Sequence, residues 1–177
     1  MMRRILLVQM ADIGDLVTTT PAITALRDAH PEAHIALLTS AHAAPIIADT
    51  DLVDEIITFD KSNFNGTIAF FRPANLKHVI GLRDGNYDSI VYFHHFTLKL
   101  GTIKFALMAF ASGAKHRYGI DNGNGWFLTA RNPDDGYGAK HQVEYWRDLV
   151  ALLGADSASR SQKIARKNYD LPAHDGI

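Results

Sequence analysis

With 177 residues, a net charge of −1 and no cysteine, the chain is sized for one domain. It has no disulfide framework or thiol chemistry, which is compatible with a reducing cytoplasm, and no global drive toward nucleic acid or anionic lipid. A chain of this length buries about 70% of its unfolded surface, so its core needs no staples. The opening Met1-Met2-Arg3-Arg4 and the apolar run after it resemble a signal peptide only faintly. That run is short, it is interrupted by Gln9, Asp12 and Asp15, and no stretch is long and apolar enough to span a bilayer.

Short apolar runs alternate with helical patterns along the chain. A first strand, Arg4–Gln9, stops at a polar turn where Gly14 gives the backbone room to bend. The helix that follows is read over Asp15–Ala29, with Thr20-Pro21 as N-cap and first-turn pair of its regular part. Strand Ile35–Thr39 leads to helix Ala41–Ala48, and strand Glu55–Phe59 leads to an irregular Lys61–Pro73 segment and helix Asn75–Asp84. Strand Ser89–Phe93 precedes helix Thr97–Ala111. Strand His116–Tyr118 precedes a long glycine-bearing loop, Asp121–Gly138. In the last helix, Lys140–Leu153, Val143, Trp146, Leu149, Val150 and Leu153 form an apolar stripe that Gly154 stops. This alternation predicts an α/β fold, a Rossmann-like parallel sheet with helices on both faces. After Gly154 the chain turns polar and reads as a linker.

The first turn carries the chemistry. Asp15 is aimed off the carboxyl end of the first strand, where open α/β sheets bind ligands. A phosphate cradle fits poorly there: it needs several glycines, whereas this turn has one glycine and two carboxylates, Asp12 and Asp15. Two readings of Asp15 stand side by side, a cap of the helix and a general base held at a helix N-terminus. His94 and His95 end the fourth strand. Adjacent side chains on an extended segment point to opposite sides, which makes them a poor chelating pair. One of them hydrogen-bonds a ligand hydroxyl, or one is packed and the other solvated. Lys61, Arg72, Lys77, His78 and Arg83, interleaved with Phe64, Phe70 and Phe71, form either an anion-binding segment or a solvated loop. Phe105, Leu107, Met108 and Phe110 are read as buried core in preference to a membrane-facing patch. His141 is read as a surface residue or a site residue.

Four blocks carry a resemblance. They are Ile5 to Leu26 with Gly14-Asp15 and Thr18-Thr19-Thr20-Pro21, then Tyr87-Asp88-Ser89-Ile90-Val91, then Gly113 to Gly119, then His141-Gln142-Val143-Glu144 leading to Leu152-Leu153-Gly154. In this order they resemble glycosyltransferase family nine, the bacterial heptosyltransferases of lipopolysaccharide assembly. The resemblance implies the N-terminal half of a glycosyltransferase B architecture. Residues 1–155 would form a Rossmann-like acceptor-binding domain, and residues 156–177 a linker toward a C-terminal donor-binding domain that this chain lacks. The chain is read as a truncated piece or an isolated N-terminal domain, inactive alone. The implied activity is inverting transfer of a heptose-like sugar from a nucleotide-diphosphate donor to an envelope glycan or lipopolysaccharide core acceptor. Asp15 would be the catalytic base. Asp12, Gly14, Thr18, Arg72, Lys77, His94, His95 and Lys99 would contact substrate. No cofactor or metal is implied, the nucleotide-sugar donor being held by the second domain. The expected partners are a glycan or glycolipid acceptor and that donor, with no nucleic acid. The expected place is cytoplasmic, with peripheral contact at the inner membrane.

Two departures from the family pattern leave the acceptor's identity open. The turn Gln9-Met10-Ala11-Asp12-Ile13 lacks the family's basic and hydroxylated residues. Tyr92-Phe93-His94-His95-Phe96 stands where the family shows an Asp and a Gln-Gly, although Lys99 matches a family basic position. The alternative class is a non-catalytic flavodoxin-like ligand-binding or signalling domain, mimicked loosely by Asp12, Asp15, Asp60 and Lys115. Against it, Lys115 opens the fifth strand when it should end it. A nucleotide-binding enzyme comes third, lacking the glycine fingerprint.

Overall fold

The computed structural model describes residues 4–59, 72–136, 138–156 and 158. Six strands, β1 (Arg4–Gln9), β2 (His34–Ser40), β3 (Glu55–Phe59), β4 (Ser89–His95), β5 (His116–Asp121) and β6 (Ala130–Pro133), form one sheet. All the pairings are parallel, and the order is β3-β2-β1-β4-β5-β6. This is the doubly wound dinucleotide-fold order, in which the chain reverses its direction of winding between β1 and β4. A flavodoxin-like sheet would place β3 beside β1. Here β3 is an outer strand and β4 pairs with β1, so the flavodoxin-like alternative does not have this topology.

The central strands β1, β2 and β4 form because most of their residues are apolar toward both faces, as parallel sheets covered on both sides require. Along β1, Ile5 and Leu7 enter one core while Leu6 and Val8 enter the other. On the first face α1 (Ile13–Ala29) and α4 (Gln142–Ala151) pack Leu16, Ile23, Leu26, Trp146, Leu149 and Val150 onto the sheet. On the second face α2 (Pro73–Gly81) and α3 (Lys99–Ser112) contribute Val79, Phe105 and Met108. Tyr92 is fully buried there, and its hydroxyl donates to the Phe105 carbonyl at 2.9 Å. No helix among the described residues is long and apolar enough to cross a membrane.

Several expectations are corrected. Helix α1 starts at Ile13 with Asp12 as N-cap, and it runs straight through Pro21. Proline removes one helical donor, and the Thr20 hydroxyl donates to the Val17 carbonyl, the acceptor four residues before Pro21, at 2.8 Å. Thr20-Pro21 is therefore an internal repair, not a start signal. Gly14 lies within the helix without a positive φ, so the bend falls in the residues before it. Ala41–Ala48 yields only a 3₁₀ turn, Ala44–Ile46, because Pro45 interrupts the hydrogen-bond ladder. The expected loop Asp121–Gly138 contains the edge strand β6. The last helix and its stop match the expectation, with Gly154 at φ +84°. Lys61, Phe64, Phe70, Phe71 and Asp60 lie outside the described residues, as does nearly all of the 156–177 tail.

Candidate functional site

β1 delivers a short turn to the switch point of the sheet. Its last residue, Gln9, is 1% exposed. The Gln9 amide donates from Nε2 to the Thr19 hydroxyl at 3.0 Å, and its Oε1 accepts the Ala11 N–H at 3.1 Å. One buried side chain thus ties the turn to the second turn of α1. Asp12 and Asp15 form a capping box, with the Asp12 N–H donating to Asp15 Oδ2 at 3.2 Å. Asp15 is half-buried, while Asp12 and Gly14 are exposed. A Cβ on Gly14 would meet nothing within 4 Å, so the surface over the first turn of the helix is open. Thr18 is half-buried, and its hydroxyl donates to the Asp15 carbonyl at 2.8 Å.

β4 ends beside this turn. His94 and His95 diverge to the two faces, as strand alternation requires. The His94 ring lies against Phe105, centroids 4.5 Å apart, and edge-on to Phe96. It lines a hollow of about 250 Å³ with Thr97, Gly101, Thr102 and Lys104. Burial, then the nearby charges of Lys104 and His95, lowers its pKa to about 4. His94 is therefore neutral at pH 7, able to accept or donate one hydrogen bond at a time.

His95 sits on the other face against Tyr145 and Trp146. Its Nδ1 meets Asp134 Oδ2 at 2.9 Å, and Gln142 Nε2 lies 3.0 Å from its Nε2. A carboxylate at Nδ1 places the proton there and leaves Nε2 as acceptor. Burial raises the Asp134 pKa, but hydrogen bonds from His95 and the Gly136 N–H outweigh it, and the net direction is downward. His95 thereby links the carboxyl end of β4 to the end of β6 and the start of α4.

Asp12, Gly14, Asp15 and Thr18 on one side, and His94, His95 and Lys99 on the other, therefore come together at the carboxyl edge of two paired strands. Exposed Arg72 is the N-cap of α2, which follows β3 and starts at the same edge. Lys77 does not join them. It lies farther along α2, in a hollow shared with Arg4, Glu55, Gly85 and Tyr87 at the amino ends of the strands. His141 is the N-cap of α4, accepting the Val143 N–H at its Nδ1, so its place is explained by capping. Gln9, Asp134 and Gln142 were not legible as site residues. Gln9 gave the only signal, a polar residue ending an otherwise apolar central strand.

A parallel sheet in this order, with titratable side chains gathered at its switch point, defines a Rossmann-like α/β domain whose ligand edge lies at β1 and β4. No protein-family model matches the sequence, and no curated protein matches it. Among solved structures, the chain is similar to a glycosyl transferase family 9 protein from Veillonella parvula. The TM-score is 0.72 and the identity 21%, covering 92% of this chain and 44% of that one. It is also similar to the E. coli heptosyltransferase WaaC solved with ADP, with TM-score 0.67 and 20% identity, covering 90% of this chain and 50% of that one. A third likeness is to E. coli ADP-heptose lps heptosyltransferase II, with TM-score 0.60 and 19% identity, covering 82% and 39%. The chain thus has the fold found in glycosyltransferase family 9 members, and it spans half the length or less of each of these proteins.

Proposed function

We propose that this chain is the acceptor-binding domain of an inverting glycosyltransferase that moves a heptose-like sugar from a nucleotide-diphosphate donor to an envelope glycan or lipopolysaccharide core. The observation that carries the reading is the Asp15 carboxylate, held in the first turn of α1 at the switch point of a fold shared with such enzymes. Asp15 Oδ2 is engaged by the Asp12 N–H, which orients the carboxyl group and leaves Oδ1 for an acceptor hydroxyl. The hydroxyl oxygen attacks the anomeric carbon, its proton passes to Asp15, and the bond to the diphosphate breaks on the opposite face. The leaving diphosphate and the rest of the donor belong to a second domain, and no cofactor or metal is needed in this one. His94 offers a neutral ring to a sugar hydroxyl. Lys99 and Arg72 supply positive charge at the mouth, suited to a phosphorylated acceptor, and the enzyme works at the cytoplasmic face of the inner membrane.

Binding of a phosphorylated core oligosaccharide tests this reading. Exposed charges are screened beyond ~8 Å at physiological salt, so affinity should fall as salt rises. Arg72→Ala and Lys99→Ala should each weaken binding at low salt, and Lys77→Ala, at the far end of the strands, should leave it unchanged. An affinity indifferent to salt and to both substitutions would mean a neutral acceptor or no acceptor site at this edge.

A further inference from the structure

The second core is not closed everywhere. Protein interiors pack to crystal density and hold few voids larger than a water molecule. Between β2, β3 and α2, however, lies a hollow of about 180 Å³. Leu38 and Ile57, register partners on β2 and β3, form its floor. Phe59, Val79 and Met108 wall it, and Met10 borders it from the turn after β1. Met10 stands two residues before Asp12, so the hollow adjoins the turn that holds the Asp12–Asp15 capping box.

What the hollow can hold follows from its lining and its size. Strand alternation turns Ile57 and Phe59 toward it and the Thr58 side chain to the other face. The polar side chains facing it are then buried Asn75 and exposed His78, one helical turn apart on α2. No lysine, arginine or carboxylate is among the described residues that line it, so a phosphate would meet no fixed positive charge. A sugar ring carries a hydroxyl on nearly every carbon, and two polar side chains would leave most of them buried without partners. An apolar group loses no hydrogen bond there. The size suits one ring, since a core cavity of about 150 Å³ lined by aliphatic and aromatic side chains takes benzene. Met10 and Met108 are unbranched and polarizable, which lets them adapt to an aromatic guest.

We propose that this hollow is a subsite of the acceptor edge and takes an aryl or cycloaliphatic ring of about six carbons, carried by the acceptor beside the sugar that bears the attacked hydroxyl. The inference rests on the reading of this edge as an acceptor site, and it narrows the acceptor to a glycan with an apolar substituent. Any phosphate on that glycan falls to Arg72 and Lys99, outside the hollow.

Methionine methyl NMR reads this directly. The chain has four methionines. Met10 and Met108 line the hollow, while Met1 and Met2 open the chain and serve as internal controls. Benzene should shift the Met10 and Met108 methyl signals saturably and leave those of Met1 and Met2 in place. Phenyl β-glucoside should shift the same pair together with the backbone amides of Asp12 to Thr18, and methyl β-glucoside should bind about tenfold more weakly. Val79→Phe, which fills the hollow, and Met10→Ser, which removes one wall, should each weaken benzene binding by about tenfold, with the melting temperature followed to confirm folding. Ile80→Ser, which removes an exposed apolar side chain of α2, should not weaken it. Absence of methyl shifts with benzene, or equal binding of the two glucosides, overturns the proposal. So do nuclear Overhauser contacts, in the free chain, from both methyl groups to a ring outside the second core, because the chain itself then fills the hollow. ADP shifting the methionine pair would assign the hollow to a nucleobase and overturn it as well. None of these outcomes alters the rate loss expected for Asp15→Asn, so the subsite and the transferase reading fail separately.

Discussion

In a transferase containing this domain, Asp15→Asn is expected to lower the rate of sugar transfer by roughly 10²–10⁴, the usual worth of a general base. The substitution is nearly isosteric, and an amide oxygen can still accept the Asp12 N–H that now reaches Oδ2 at 3.2 Å. The capping box therefore survives in outline, and stability should change by well under the ~1 kcal/mol typical of a lost cap. The loss should fall on kcat, because proton removal counts in the transition state and hardly at all in ground-state binding. Activity within a few-fold of the parent, with an unchanged melting temperature, would reduce Asp15 to a cap.

Acidification from pH 7 to about 4 should remove about 3 kcal/mol of stability through His94 alone. Its folded pKa is held down to about 4 by burial first, and then by Lys104 and His95, while in the unfolded chain it titrates near 6.5. Both states are neutral above pH 6.5, and there the contribution is complete. Below that the unfolded chain takes up a proton that the folded one refuses, and stability drains until the folded ring titrates. His94→Phe keeps a ring against Phe105 and cannot charge. Urea unfolding across this range should show a flatter pH dependence in the variant, and parallel slopes would contradict the assignment. The depressed carboxylates act in a lower window. At Asp54, Asp121 and Asp134, burial raises the pKa and hydrogen bonds outweigh it. Their contribution is complete above the ordinary carboxylate range and is lost only as pH falls through their lowered values.

The central strands were legible because a parallel strand buried on both faces is apolar along most of its length. β1 was read with its observed bounds, Arg4–Gln9, and so was the outer strand β3, Glu55–Phe59, although Glu55 and Thr58 are exposed. β6 was not, because Ala130-Arg131-Asn132-Pro133 has no β-branched or aromatic residue and needs only one neighbour, β5. α3 shows the limit of periodicity. Ile103, Phe105, Leu107, Met108 and Phe110 surround the helix, so spacing could not say which side the sheet would cover. Phe105, Leu107, Met108 and Phe110 were expected in the core, yet Leu107 and Phe110 face outward, as does Ile103. Asp15 was visible because a single carboxylate following Gly at the end of a first strand is a local pattern. The contact of His95 with Asp134 joins residues 39 apart, and only the order β4-β5-β6 brings them together.

The central claim, that this edge receives the acceptor and not the nucleotide, is tested most directly by mapping both ligands onto the domain by backbone amide NMR. A phosphorylated core oligosaccharide should shift the amides of Asp12 to Thr18 and His94 to Lys99, and ADP should leave them in place. The account would be contradicted if ADP shifted those amides and the oligosaccharide did not, since the switch point would then be a nucleotide site.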